Sequence, residues 1–191
     1  MIKKLAVYCG ARDGQNPHYE QVAKQLGVKM ASKGIDLVYG GGRYGLMGAV
    51  ARGVLEHQGN VYGVITKQLA GRGVGFDQLT DLQVVPDMDT RKKTMMNLAD
   101  GMLALPGGLG TLEEISQAAS WMTLGNNPKP VAFYNFDGYY DHLQGLLVKM
   151  NQAGFLEQRY VDSLYFGTDF DQILDFMNHY HAPLRRQYQS K

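Results

Sequence analysis

The sequence predicts an α/β fold, a Rossmann-like doubly wound parallel sheet with helices on both faces. Short β-rich runs alternate with longer amphipathic stretches along the chain, the signature of βαβ units. Many of the 24 glycines gather in clusters that follow some of these runs, which points to specific backbone turns and not to low complexity. With 191 residues, 45% hydrophobic and 19% charged, the chain suits one domain able to bury a two-sided sheet.

In order, Leu5 to Cys9 reads as the first strand and Tyr19 to Lys33 as the helix that crosses to the second, Asp36 to Tyr39. A helix over Leu46 to His57 leads to the strand Val61 to Ile65. The polar segment Lys67 to Thr80, with Gly71, Gly73 and Gly75, reads as a long loop and a candidate lid. Leu82 to Val85, a helix from Met88 to Asp100, and the strand Met102 to Leu105 follow. Then come a helix over Leu112 to Thr123, the strand Val131 to Tyr134, and helical stretches at Tyr139 to Gln152 and Phe170 to His179. A single nucleotide-binding domain over residues 1–191 is expected, with Leu184 to Lys191 as a frayed polar tail. Ligands of such sheets bind at the carboxyl ends of the strands, so the informative residues lie just after each strand.

Composition excludes several classes. The formal charge of +1 argues against bulk nucleic-acid binding. No run of eighteen apolar residues suggests a membrane span, and the single cysteine, Cys9, cannot form an internal disulfide, so a cytoplasmic protein is expected. The five histidines show no metal-ligand spacing, and no metal or cofactor is expected.

Two glycine loops stand out. Gly40 to Gly45 fits GxGxxG, but the strand after it runs into Thr66 and Lys67, where a dinucleotide site needs an acidic residue for the ribose. NAD is therefore disfavoured. A close strand-to-helix turn and direct ligand contact through Gly41 and Gly42 both remain open. Pro106 to Glu114 is more specific. Pro106 ends a strand, the glycines free several amides to point one way, and a helix begins at once. Free N–H groups at the positive end of a helix dipole bind phosphate without a lysine, and the Thr111 hydroxyl adds a donor. The absence of GK[ST] and of a magnesium partner favours a monophosphate.

Charged residues then occupy unusual places. Glu114 completes TxxE with Thr111, which reads either as a capping box or as a carboxylate at the rim of a ligand site. Glu113 lies about 100° away around the helix, so at most one of the two does chemistry. Arg91 and Lys92 fall on the apolar stripe of Met88, Met95 and Ala99. Two buried cations need carboxylates or phosphate oxygens, or must snorkel out. Lys93 lies off the stripe. Trp121 reads as core or as a base-edge contact, and Tyr44 as a rim residue.

These residues resemble the LONELY GUY family of cytokinin riboside 5'-monophosphate phosphoribohydrolases, some members of which have carried a lysine decarboxylase label. A decarboxylase of that kind needs a pyridoxal phosphate lysine and a larger scaffold, of which the chain shows no sign. The resemblance spans Leu5 to Gly154. It is carried by Tyr39 to Gly42 with Gly45 to Gly48, by Met88-Asp89-Thr90-Arg91-Lys92, and by PGGxGTxxE at Pro106 to Glu114. It implies Arg91 and Glu114 as the catalytic pair. The substrate contacts it implies, together with the loop reading, are Gly10, Arg12, Gly41, Gly42, Met88, Lys92, Gly107, Gly108, Leu109, Gly110, Thr111, Leu112 and Glu113. Ser120 stands where the family has a threonine in the same pocket. Two departures are Cys9-Gly10-Ala11-Arg12, where the family carries a serine, and Gly73, where plant-type members carry a glutamate.

The expected activity is hydrolysis of AMP or an N6-substituted AMP to free base and ribose 5-phosphate, by a homodimer with no nucleic-acid or membrane partner. The alternative is a non-catalytic nucleotide or molybdenum-cofactor carrier, since related folds with such a loop bind that cofactor. A phosphoribosyltransferase lacks its acidic pair here.

Overall fold

Every apolar run expected to be a strand pairs into one parallel sheet. The structure is a computed structural model and describes residues 1–187. The elements are β1 (Lys4–Tyr8), α1 (His18–Ser32), β2 (Asp36–Tyr39), α2 (Gly45–Leu55), β3 (Val61–Thr66), α3 (Lys67–Ala70), β4 (Asp81–Val85) and α4 (Met88–Leu98). They continue with β5 (Gly101–Ala104), α5 (Leu109–Thr123), β6 (Val131–Tyr134), a 3-10 turn (Phe136–Gly138), α6 (Asp141–Gln152), α7 (Gln158–Asp162), β7 (Leu164–Gly167) and α8 (Phe170–Asn178).

The strand order is β4-β3-β2-β1-β5-β6-β7, with every neighbour parallel. The chain winds outward one way from β1 to β4, then returns to place β5 on the other side of β1. That reversal opens a crevice at the carboxyl ends of β1 and β5, where such sheets hold ligands.

Parallel strands joined by crossover helices are covered on both faces, so central strands can be apolar throughout. Leu5, Val7, Leu37 and Leu103 face α1, α2 and α8. Ala6, Tyr8, Val38 and Met102 face the other way, onto Met95 and Met96 of α4 and Ile115 and Ala118 of α5. Alternate residues of one strand thus feed two separate cores.

The differences from expectation lie where the pattern is short. The segment expected to be only a loop contains α3, started by the Thr66 hydroxyl accepting the Leu69 amide at 3.3 Å. Neither β7 nor α7 was anticipated: β7 is a four-residue edge strand with three partly exposed residues, and α7 has five residues, too few to show a period. α5 begins three residues earlier than expected, because its first turn, Leu109 to Thr111, contains an 84% exposed leucine and a glycine that carry no apolar signal. In the tail, the Tyr160 hydroxyl donates to the Leu184 carbonyl at 3.1 Å and the Arg186 amide to Thr123 at 2.9 Å, so this part of the chain is tied down; residues 188–191 lie outside the described residues.

Candidate active site

The end of β1 is stitched to the loop after β5 by the Gly10 amide, which donates to the Pro106 carbonyl at 3.0 Å. The Gly10 carbonyl in turn accepts the Met47 amide of α2 at 3.3 Å. Around this seam opens a cleft of about 620 Å³, bounded by the loops after β1 and β5 and by parts of α2, α3 and α4.

One wall is the start of α5. Gly108 is its N-cap in extended conformation, with no side chain capping the helix. Among the described residues, no carbonyl or side chain accepts the amides of Gly107 to Thr111. Unsatisfied amides at a helix start, reinforced by the helix dipole, form an anion site. The capping box is not formed, because Glu114 points elsewhere.

Glu114 pairs with Arg91. Arg91 Nη1 donates to Glu114 Oε1 at 2.5 Å, and Nε to the Val64 carbonyl at 2.9 Å. Arg91 is 6% exposed, and both residues line the cleft. Gly40 makes room for the guanidinium: a Cβ there would overlap Arg91 Nη2. This close approach gives the first glycine of the GxGxxG-like run a physical role unrelated to a dinucleotide. Beside this pair, Lys92 Nζ bonds Glu113 Oε1 at 2.5 Å and reaches Asp89 at 3.3 Å. Two consecutive cations of α4 therefore clamp two consecutive carboxylates of α5, and both buried cations are matched.

Burial pushes the Glu114 carboxyl up, and Arg91 pulls it back without cancelling the rise. Burial likewise pushes the Cys9 thiol up, which favours its protonated form in this cleft. Among the described residues no cluster of three or more His, Cys, Asp or Glu is arranged to hold a metal ion.

Of the residues singled out in the sequence, Gly10, Arg12, Arg91, Gly107, Gly108, Gly110, Thr111 and Glu114 border the cleft. Lys92 and Glu113 stand beside it, and Met88, 43% exposed instead of buried on the stripe, touches Arg91 Nη1 through its sulfur at 3.4 Å. Gly41 and Gly42 lie off the cleft wall: Gly41 packs under Leu82 and Ile65, and Gly42 bridges to Gly75 of the loop after α3. Leu109 and Leu112 turn outward. Ser120 lies in a separate apolar groove with Leu112, because six residues beyond Glu114 carry it about 240° around the helix. Trp121 packs on the α4–α5 side of the core.

Leu46 and Met47 of the Gly45–Gly48 motif also line the cleft, as do residues the sequence did not single out: Asp13, Gly14, Tyr19, Leu69 and Tyr139. Tyr139 could have been found, since it follows β6 at the same edge of the sheet. Leu69 could not, because nothing local tells a helix residue turned to a cleft from one turned to a core.

A family model described as "Possible lysine decarboxylase" matches residues 47–177. Cytokinin riboside 5'-monophosphate phosphoribohydrolase LOG7 of Arabidopsis thaliana is 42% identical over 155 residues, covering 81% of this chain and 71% of the relative. LOG of Oryza sativa subsp. japonica is 40% identical over 157 residues, covering 82% and 65%. Among solved structures, the molybdenum cofactor binding protein of Rippkaea orientalis superposes with a TM-score of 0.68 at 20% identity, over 93% of this chain and 96% of that one. The molybdenum cofactor carrier protein of Chlamydomonas reinhardtii gives 0.69 at 16%, over 93% and 97%. At such identities these likenesses speak for the fold alone.

A wholly parallel sheet with a glycine-loop cleft at its switch point defines the class, the Rossmann-like α/β proteins. Within it, the chain belongs to the family of the cytokinin riboside 5'-monophosphate phosphoribohydrolases, the LONELY GUY family.

Proposed function

We propose that the protein hydrolyses the N-glycosidic bond of AMP or an N6-substituted AMP, releasing the free base and ribose 5-phosphate. The observation that carries this reading is the buried Arg91–Glu114 pair in the wall of a cleft that also presents free helix-start amides. The amides hold the 5'-phosphate, as a helix start suits an anion without a metal. The ribose then reaches toward the pair, with its C1' near Glu114. The names of the relatives agree with this substrate class.

In the reaction the bond from C1' to the base breaks and its electrons leave with the base. The sugar passes through an oxocarbenium-like state, and water adds to C1'. Ionised Glu114 stabilises that cation and takes the proton of the attacking water, and Arg91 fixes the carboxylate in place. The base gains a proton as it leaves, so nucleotide and water account for both products. Because Glu114 must be ionised to accept a proton, activity rises with pH through its pKa. That acid limb lies above the usual carboxylate range, since burial raises this group. A pH profile of kcat/KM checks it.

We further propose a cytoplasmic homodimer joined through α5 and α6. α6 buries none of its residues, and Leu146 is 50% exposed beside an apolar groove of about 390 Å³ shared with α5. An uncovered apolar face of this kind suits a second copy.

Chromatography of purified protein incubated with AMP, N6-isopentenyl-AMP and adenosine tests the activity. Free base should appear from the monophosphates and far more slowly from the nucleoside, because the phosphate contributes binding energy remote from the reacting bond. Binding without base release favours a carrier instead.

A further inference from the structure

Two consecutive tyrosines after β6 reach across to the loop after β5. The Tyr139 hydroxyl donates to the Gly107 carbonyl at 2.5 Å, and the Tyr140 hydroxyl to the Leu105 carbonyl at 2.6 Å. The turn that delivers them is built for the purpose. The Tyr140 amide donates to Asn135 Oδ1 and Asn135 Nδ2 to Asp141 Oδ1, both at 2.7 Å. Asp137 and Gly138 both have positive φ, and a Cβ at Gly138 would press on Asp141 Oδ2.

The two hydroxyls differ in setting. Tyr140 is buried, and the carbonyl it holds lies at the end of β5, before the phosphate loop. Tyr139 lines the cleft and holds a carbonyl inside that loop. A trans peptide points its C=O and N–H in opposite directions. Gly107 precedes Gly108 through such a trans bond, so fixing the Gly107 carbonyl on Tyr139 fixes where the Gly108 amide points. The Pro106 carbonyl is taken by Gly10 in the same way, which orients the Gly107 amide. Tyr19 packs edge-on against the Tyr139 ring at 6.0 Å and keeps it in place.

Resting on the hydrolase reading, we propose that Tyr139 is a positioning residue of the phosphate site: its hydroxyl holds the Gly107–Gly108 peptide so that the Gly108 amide faces the substrate's 5'-phosphate. It acts before the chemical step and separately from Arg91 and Glu114. Its loss weakens the grip on phosphate and leaves the carboxylate that does the chemistry in place.

Calorimetry with ribose 5-phosphate and steady-state kinetics with AMP compare the parent protein, Tyr139→Phe and Tyr140→Phe. Tyr139→Phe should weaken ribose 5-phosphate binding and raise KM for AMP, each by about tenfold. Its kcat should stay within about threefold of the parent's, since the interaction is made equally in ground and transition states. Tyr140→Phe should lower Tm and leave ribose 5-phosphate affinity unchanged. Unchanged ribose 5-phosphate affinity in Tyr139→Phe overturns the proposal. So does a loss confined to kcat, or equal loss of affinity in both variants. A parent protein that binds ribose 5-phosphate and releases no base from AMP overturns the hydrolase reading alone, and the affinity ratio of the two variants still decides the role of Tyr139.

Discussion

At the scale of single residues, Arg91 is a buried cation at the wall of the cleft. Its place on an apolar helix stripe marked it in the sequence, because a buried cation needs a partner. The structure supplies that partner in Glu114 and the space in Gly40. Gly40→Ala should therefore displace the guanidinium and cost about 100-fold in turnover, the scale of a misplaced catalytic geometry. Steady-state kinetics with AMP checks this, with nucleotide binding measured alongside to show that the cleft persists. Ser120 shows the limit of motif reading. A motif gives positions along the chain, whereas the side of a helix depends on where its neighbours pack, and Ser120 falls in the groove beside α6. Tyr139 is legible only by its place after β6, because its partner is a backbone carbonyl 32 residues away, and carbonyls leave no mark in a sequence.

Among elements, α4 and α5 matter most, because each delivers two charged residues to the other. α4 is held at its end by Lys129, whose ammonium donates to the carbonyls of Met96 and Ala99 at 2.6 Å and of Asn97 at 3.3 Å. A cation on the last carbonyls of a helix satisfies orphan acceptors and the negative end of the dipole. Lys129→Met should cost about 2 kcal/mol of stability, read from the urea midpoint at unchanged m-value. The helices with long apolar periods were legible to within a few residues, as were all strands but β7. α5 starts one turn before the apolar period does, because its first turn opens on an exposed leucine and a glycine that carry no period. The feature that makes such a turn a good anion site is thus the one that hides it.

For the whole molecule, alternation of strands and helices makes a doubly wound parallel sheet readable in the sequence, whereas the strand order comes from the structure. The reversal between β1 and β5 could be inferred only as a class property, and it decides which two loops share a cleft. Association belongs at this scale too. Leu146→Glu on the exposed face of α6 should shift the protein from dimer to monomer in sedimentation equilibrium, and an unchanged mass would place any interface elsewhere. The central claim is that Glu114 does the chemistry while the loop Pro106 to Thr111 holds the phosphate. Its most direct test is Glu114→Gln, assayed together for adenine release from AMP and for AMP binding. Release should fall by about 100- to 10,000-fold, the range for losing a positioned acid–base group, with AMP still bound. Release at the parent rate would contradict the account and leave Glu114 a structural partner of Arg91.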